Sequence, residues 1–221
     1  GMRPLPGARL TLINPDPPAP STGMLPGFIA GHYDADALQI DLVRLARFAG
    51  ARLILDKATG LDLEAGHVTL HNRPPIRFDH VSIDVGITSD MPEIPGFQLH
   101  GVAAKPLGDY SKRWTAFLLE IAEGRAEPQV AVIGGGFAGV ELAFAMHHAL
   151  AQAGQSPEVT LLETASALHG SSGKARDTLL RELARKGISL IEGTSVDAVE
   201  AQHVTLADGT QVDAHLTVGA A

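Results

Sequence analysis

The clearest pattern in the chain is a short apolar run followed by closely spaced glycines and then by helical periodicity. Val130–Ile133 is continuously apolar, which is typical of a strand buried on both faces of a parallel sheet. Gly134, Gly136 and Gly139 follow in the GxGxxG spacing. A strand, a glycine loop and a helix in this order predict a site for the pyrophosphate of a dinucleotide, because the N–H groups of the new helix face the loop. The alternative is a glycine-rich turn used only for packing.

A second apolar run marks the next strand and ends in an acid. Val159–Leu162 is followed by Glu163, which lies 24 residues after Gly139. An acid near this position accepts hydrogen bonds from the ribose hydroxyls of adenosine in dinucleotide-binding folds. NADP would instead need a cation beside its 2′-phosphate, and no Lys or Arg follows Glu163 before Lys174. The pattern therefore favours NAD over NADP.

The rest of the chain alternates short apolar runs with loops. A helix is predicted at 41–49, with Leu42, Leu45 and Ala46 on its apolar face and Gly50 at its end. An amphipathic helix is predicted at 110–123, whereas five prolines make 15–26 an irregular loop. Further strands are predicted at 9–14, 52–55, 68–70, 76–78 and 80–84.

The order of these segments occurs twice. The matched segments are 10–14 with 159–163, 41–50 with 178–187, and 67–70 with 203–206, the last pair both reading HVTL. Several matches in one order indicate a duplicated unit. The glycine loop of the first copy would then lie before residue 1. The sequence is accordingly interpreted as a portion of a longer protein, or as a gene product that lacks both ends.

Composition excludes several classes of function. The formal net charge is −8 and no basic stripe is present, which disfavours nucleic acid as a partner. The absence of cysteine excludes a redox disulfide, a zinc–thiolate site and a thiolate nucleophile. The ten histidines are scattered, so no metal site is predicted. No apolar run has the length of a membrane span and no signal segment is recognisable, so a cytoplasmic location is predicted.

Several motifs resemble the flavoproteins with two dinucleotide-binding domains, the pyridine nucleotide-disulfide oxidoreductase superfamily. GGGFAGVELA at 134–143 and LLET at 161–164 carry this resemblance. The segments 21–33, 82–86 and 103–106 resemble the NADH-dehydrogenase-like members, and especially the flavoprotein module fused to selenide, water dikinase. The resemblance implies an α/β fold with two Rossmann-like FAD/NAD(P)-binding domains, the first incomplete. Residues 1–106 would form the incomplete FAD-binding domain and residues 107–221 the NAD-binding domain.

The resemblance also implies an activity, in which hydride passes from NADH to FAD and electrons continue to an acceptor such as a quinone. Glu163 would bind the ribose of NAD, and Gly219 would lie close to the nucleotide. Glu141 and Lys105 would act catalytically near the nicotinamide and the flavin. The alternatives are an acid stabilised by the helix dipole for Glu141 and an ordinary surface lysine for Lys105. The pyrophosphate would be held by Gly134, Gly135, Gly136, Phe137, Ala138 and Gly139.

In the first half, the resemblance places Asn14 near the ribose of FAD, and Asp84 and Gly86 near the flavin. The segment 24–26 would border the flavin ring or simply form a packed loop. Loss of about three charge-assisted hydrogen bonds from an FAD phosphate loop would cost at least about 4.5 kcal/mol, or roughly a thousandfold in affinity. Two other readings follow: an NAD-binding module without redox activity, and an inactive remnant whose sheet edge pairs with a second copy in a homodimer.

Overall fold

A computed structural model describes residues 6–85 and 93–220, and the chain folds as two compact units. The first unit contains the described residues of 1–21 and 36–86, and the second contains those of 22–35 and 87–221. Strands and helices are numbered along the chain. Each unit has its own sheets.

The second unit is built around a parallel sheet. The strands of this sheet are β8 (Gly101–Ala103), β9 (Gln129–Ile133), β10 (Glu158–Glu163), β11 (Ser189–Glu192) and β15 (Leu216–Gly219). Across the sheet they lie in the order β11-β10-β9-β15-β8, and every pair runs parallel. The carboxyl ends of all these strands therefore meet at one edge of the sheet, which is where ligands bind in open parallel sheets.

Helices cover one face of this sheet and a small antiparallel sheet packs against the other. The helices of the unit are α1 (Leu25–Ile29), α3 (Phe97–His100), α4 (Leu107–Ala122), α5 (Phe137–Gln152) and α6 (Gly173–Lys186), and a short 3₁₀ helix spans Thr22–Met24. The antiparallel sheet is formed by β12 (Val196–Val199), β13 (His203–Leu206) and β14 (Gln211–Asp213).

Alternate residues of β9 supply the two cores of the second unit. Val130 and Val132 belong to the core formed with the helices, whereas Ala131 and Ile133 face the core formed with the antiparallel sheet. Every one of these four side chains is buried. This explains why the strand is continuously apolar: both of its faces are covered, as the sequence predicted.

The first unit repeats part of this arrangement. Its elements are β1 (Thr11–Asn14), β2 (Pro18–Pro20), β3 (Gln39–Asp41), α2 (Leu42–Ala49), β4 (Arg52–Leu55), β5 (Ala58–Asp62), β6 (His67–Leu70) and β7 (Ile76–Arg77). Strands β1 and β4 pair in parallel, β2 pairs with β3, and β5-β6-β7 form an antiparallel sheet.

The duplication predicted from the sequence is confirmed in the pairing register. Leu12 lies beside Leu53 in the first unit, and Leu161 lies beside Leu190 in the second, at the repeat positions of that first pair. The connecting helices also begin and end alike. Asp41 caps α2 and Gly50 ends it with φ 63°, while Ser172 caps α6 and Gly187 ends it with φ 75°.

Some expectations for the first half are wrong. The strand predicted at 80–84 does not form, and Ile83 within it is 63% exposed. The corresponding strand of the second unit, β15, is held by hydrogen bonds from β9 on one edge and β8 on the other. Among residues 6–85, no strand pairs with the segment 80–84. Leu45 was predicted to face the core with Leu42 but is 45% exposed.

The predicted boundary at residue 106 does not coincide with the way the chain packs. β8 and the segment 22–35 belong to the second unit, and Leu25 and Ile29 lie in its helical core. The segment 24–26 is therefore part of a packed helix start. The assignment of an FAD-binding domain to 1–106 and an NAD-binding domain to 107–221 stays a prediction.

Candidate functional site

The glycine loop leaves β9 at the carboxyl edge of the parallel sheet. The N–H of Gly134 donates to the carbonyl of Leu162 on β10, at 2.8 Å, which fixes the first residue of the loop to the neighbouring strand. The φ angle of Gly134 is 112°, a backbone conformation that favours glycine. The first glycine of the motif thus permits the tight turn that the sequence pattern predicted.

Two other glycines are required by packing inside the protein. A Cβ on Gly139 would lie 1.9 Å from the carbonyl oxygen of Gly134, so α5 could not approach β9 as closely. A Cβ on Gly135 would lie 2.8 Å from the Cβ of Glu163 and 3.0 Å from that of Ala167. Both glycines are buried, and the close contacts account for them without any ligand.

Gly136 is different, because no contact among residues 6–85 and 93–220 requires it to be a glycine. Its φ and ψ of −72° and −178° are open to any residue, and a Cβ there would meet no atom within 4 Å. Gly136, Phe137 and Ala138 are exposed, and no side chain caps the start of α5. The N–H groups of the first helical turn, which lack intrahelical acceptors, therefore border open space. The arrangement fits an approaching anionic group such as a pyrophosphate.

Glu163, the last residue of β10, accepts a hydrogen bond from the glycine loop. Its Oε2 accepts a hydrogen bond from the N–H of Gly135 at 2.6 Å, and its Oε1 accepts from the N–H of Ala165 at 2.9 Å. Partial burial raises the pKa of the Glu163 carboxyl, but the hydrogen bonds from Ala165, Gly135 and Thr164 and the nearby His169 outweigh burial and lower that pKa below its ordinary value. Glu163 is therefore a carboxylate at neutral pH.

The turn after Glu163 closes the site on the side of β11. The N–H of Leu168 donates to the carbonyl of Gly135 at 2.8 Å, and Leu168 adopts a left-handed φ of 57° although it is not a glycine. Such a conformation costs on the order of 1–3 kcal/mol and persists only where surrounding contacts enforce it. Ala167 and Leu168 are buried. The turn is thus packed tightly against the glycine loop.

An ion pair from the next strand and helix supports this turn. Glu192, the last residue of β11, accepts a hydrogen bond from the N–H of Ala167 at 2.5 Å and pairs with Arg176 of α6 at 3.0 Å. The Nε of Arg176 donates to the carbonyl of Ala167 at 2.9 Å. The backbone of Ala167 is therefore held through both its N–H and its carbonyl.

The structure brings most of the predicted NAD-site residues to one edge of the sheet. Gly219 ends β15 beside Ile133, the residue before the loop, and its carbonyl accepts from the N–H of Ala104 at 2.7 Å. Lys105 follows β8 at the same edge and is half-buried, whereas Glu141 is exposed on α5. In the described part of the chain, Glu141 and Lys105 take part in no ion pair. Their predicted catalytic roles stay predictions.

The predicted FAD-site residues of the first unit are less well supported. Asn14 ends β1, as Glu163 ends β10, but its side-chain amide donates to the carbonyl of Asp16 at 2.7 Å. Asp84 is exposed and lies outside any strand or helix. Gly86 lies outside the described residues. The predicted roles of Asn14, Asp84 and Gly86 in FAD binding stay predictions.

Two residues that support the site, Arg176 and Glu192, were not predicted from the sequence. Arg176 lies 13 residues after Glu163, outside the segment directly after the acid where a cation for a 2′-phosphate is expected. The repeat contains a signal for Glu192, because 52–55 corresponds to 189–192, and the register that pairs 11–14 with 52–55 also pairs 160–163 with 189–192. That register places Glu192 directly beside Glu163.

Comparison with known proteins identifies the family. The profile of the pyridine nucleotide-disulphide oxidoreductase family matches residues 6–221. The chain belongs to this family. Demethylphylloquinone reductase NdbB from Synechocystis is 28% identical over 163 residues, which is 71% of this chain and 39% of that protein. The chain spans about two fifths of the length of this curated relative.

Solved structures share the fold at low sequence identity. NDH2 from Plasmodium falciparum, in complex with NADH, has a TM-score of 0.82 at 16% identity, over 96% of this chain and 50% of that one. The sulfide:quinone oxidoreductase of Aquifex aeolicus has a TM-score of 0.74 at 20% identity, over 96% of this chain and 52% of that one. The mixed α/β fold with its parallel sheet is thus that of the flavoprotein family that the motifs resemble.

Two kinds of feature are absent from the described residues. Within residues 6–85 and 93–220, no three or more His, Cys, Asp or Glu side chains are grouped so that they could hold a metal ion. Over the same residues, none of the helices combines the length and the apolar composition needed to cross a bilayer.

Proposed function

We propose that the chain binds NAD(H) at the glycine loop and forms part of an FAD- and NAD-dependent oxidoreductase. In this proposal, hydride passes from NADH to flavin, and electrons then pass to a quinone-like acceptor. The main support is Gly136, a glycine that neither backbone conformation nor internal packing requires, exposed at an uncapped helix start. Family membership and the name of the relative, a quinone reductase, support the reaction class.

Each part of the site has a task in this proposal. The first N–H groups of α5 hold the pyrophosphate, and the positive end of the helix dipole favours its charge. Glu163 accepts hydrogen bonds from the ribose hydroxyls and, as a carboxylate, repels a 2′-phosphate. The nicotinamide supplies the hydride chemistry, and the protein supplies placement and electrostatics. Gly219 and Lys105 border the same sheet edge, and Glu141 and Lys105 are the proposed groups near the reacting rings.

A second candidate function is an NAD-binding module without redox activity. It is favoured by the first unit, where Asn14 already donates to Asp16 and Asp84 is exposed, so neither residue is organised as a flavin site. An inactive remnant that pairs with a second copy is the third reading. Calorimetric titration with NAD⁺, followed by incubation with FAD and removal of free flavin, separates these. Retained flavin absorbance that NADH bleaches anaerobically supports the oxidoreductase, whereas NAD⁺ binding without flavin supports the module.

The site assignment itself is tested by substituting Gly136. Gly136→Val fills the open space before α5 and should weaken NAD⁺ binding by about 10- to 100-fold, as expected for one or two lost charge-assisted hydrogen bonds. Gly108→Val is the matched control, since a Cβ at Gly108 also meets nothing and α4 follows β8, two strands from β9. Equal NAD⁺ affinity in both variants would contradict the assignment. A cytoplasmic location and a homodimer remain predictions from the sequence.

A further inference from the structure

Two carboxylates stand side by side at the edge where the adenosine ribose would bind. Glu163 and Glu192 are direct register partners at the ends of β10 and β11, on strands that lie about 4.8 Å apart. Glu163 forms no salt bridge among the described residues, although His169 lies close enough to favour its charged form; its carboxylate accepts from N–H groups and from the hydroxyl of Thr164. Glu192 is neutralised by Arg176. We call Glu163, Arg176 and Glu192 the corner of the site. Because Arg176 and Glu192 neutralise each other, the net charge of this corner is that of the Glu163 carboxylate.

Arg176 is the guanidinium that the structure brings to this corner. Its Nε donates to the carbonyl of Ala167. Ala167 lies beside the glycine loop, because a Cβ on Gly135 would be 3.0 Å from the Cβ of Ala167 and 2.8 Å from the Cβ of Glu163. Its side chain is 30% exposed, and that of Glu192 is 34% exposed. Arg176 is thus a cation next to the turn that follows Glu163, and Glu192 occupies its Nη2 group.

We propose that Glu192 is a specificity-determining residue, which excludes NADP by keeping Arg176 paired and the corner beside Glu163 negative. This inference rests on the proposed NAD site. The ribose of NAD presents a neutral 2′-hydroxyl there, whereas NADP presents a phosphate that carries close to two negative charges. Both nucleotides share the pyrophosphate, the adenine and the nicotinamide. Contributions from these shared groups therefore cancel in the ratio of the two dissociation constants, and a change in that ratio between variants reports on the surroundings of the 2′-phosphate.

The ion pair allows the charge to be changed in both directions with little change in shape. Glu192→Gln keeps an oxygen that can accept from Ala167 and Arg176 but leaves the guanidinium unneutralised. Arg176→Gln leaves the Glu192 carboxylate unpaired instead. The double variant returns the pair to zero net charge. The ratio of the NADP⁺ to the NAD⁺ dissociation constant should thus follow the charge of the pair, from +1 through zero to −1.

The test measures NAD⁺ affinity by calorimetry and NADP⁺ affinity by competition against NAD⁺ at low ionic strength. Glu192→Gln should lower the NADP⁺/NAD⁺ ratio about 5- to 10-fold, and Arg176→Gln should raise it by a similar factor, as expected for one charge acting on a phosphate across a partly exposed site. The double variant should return close to the unmodified ratio. Both shifts should shrink as salt is added, since salt screens charges that are partly exposed.

A purely structural role for the ion pair predicts a different result. If Glu192 only supports the turn, its removal weakens NAD⁺ and NADP⁺ alike and leaves the ratio unchanged, which would overturn the proposal. Glu182→Gln is the matched control, since it removes the same charge from the exposed pair with Arg185 on α6 and should not move the ratio. If the unmodified chain binds no NAD⁺, the proposed function fails first. If it binds NAD⁺ and Glu192→Gln shows no gain in NADP⁺ competition, only the present proposal fails.

Discussion

The two units contain the same strand–helix–strand segment, but among the described residues the first strand of this segment is buried more deeply in the second unit. In the second unit, Leu161 of β10 is fully buried because β9 pairs with one edge of β10 and helices cover its face. Leu12, at the repeat position in β1, is only half-buried. The pairing register is the same in both units. Local sequence thus determines the pairing, whereas burial depends on neighbouring elements.

The largest expected difference comes from replacing the leucine at the same repeat position of each unit by alanine, because only the leucine of the second unit is fully buried. Leu161→Ala should lower the free energy of unfolding by about 2–5 kcal/mol, because it removes fully buried methyl groups. Leu12→Ala should cost about 1 kcal/mol or less, because Leu12 already contacts solvent. Urea unfolding followed by circular dichroism reports on both units, whereas the fluorescence of the single tryptophan, the buried Trp114 of α4, reports on the second unit alone. Equal losses in the two variants would show that the units do not differ in packing.

A second test contrasts two glycines of the same loop. Gly139→Ala should destabilise the second unit by about 1–3 kcal/mol, since the added methyl group meets the carbonyl of Gly134 at 1.9 Å. Gly136→Ala should leave stability within about 0.5 kcal/mol of the original, since its methyl group meets nothing. Thermal unfolding without nucleotide gives both values. Comparable destabilisation by Gly136→Ala would mean that Gly136 is also needed for packing.

A third test uses the residues that end β1 and β10. The folded-state pKa of Glu163 is lowered, so its carboxylate stabilises the fold above the ordinary value of 4.5 and this contribution is lost as pH falls through the lowered pKa. The difference in unfolding free energy between the original chain and Glu163→Gln should thus be about 1 kcal/mol near pH 7 and shrink under acid conditions. Asn14→Ala should show a difference that does not change with pH. A Glu163→Gln difference that grows in acid would reverse the assigned direction of the pKa shift.

The smallest expected effect concerns the outer face of the repeated helix. Glu182 and Arg185 form an exposed ion pair on α6, whereas Leu45 and Phe48 occupy the repeat positions on α2 and are 45% and 86% exposed. Replacing these two by Glu and Arg copies the ion pair of the second unit. Stability should change by less than about 0.5 kcal/mol, because exposed pairs contribute little. Urea unfolding measures this, and a large loss would show that Leu45 and Phe48 are packed.

Sequence patterns predicted much of the fold because both repeats share local signals. The apolar run of β9, the caps of α2 and α6 and the HVTL strands all lie where periodicity and turn residues indicated. The predicted strand at 80–84 failed because strand formation needs partners, and a pattern of apolar residues does not supply them. In the candidate site, the glycine loop and Glu163 were predicted from spacing. The ion pair of Arg176 and Glu192 depends on the register of two strands and on the start of a helix, which spacing alone does not reveal.

The hydrogen bond from the N–H of Gly135 to Glu163 affects how tightly the glycine loop can bind a ligand. Because this bond and that from Leu168 to Gly135 hold the loop in shape beforehand, a ligand need not order the backbone when it arrives. The conformational entropy lost when a flexible loop becomes ordered weakens binding. A loop that is already ordered does not lose this entropy, so its contacts with a ligand contribute more fully to the binding free energy. An ordered loop also does not rearrange to fit a ligand of a different shape, so it favours ligands that match its existing conformation.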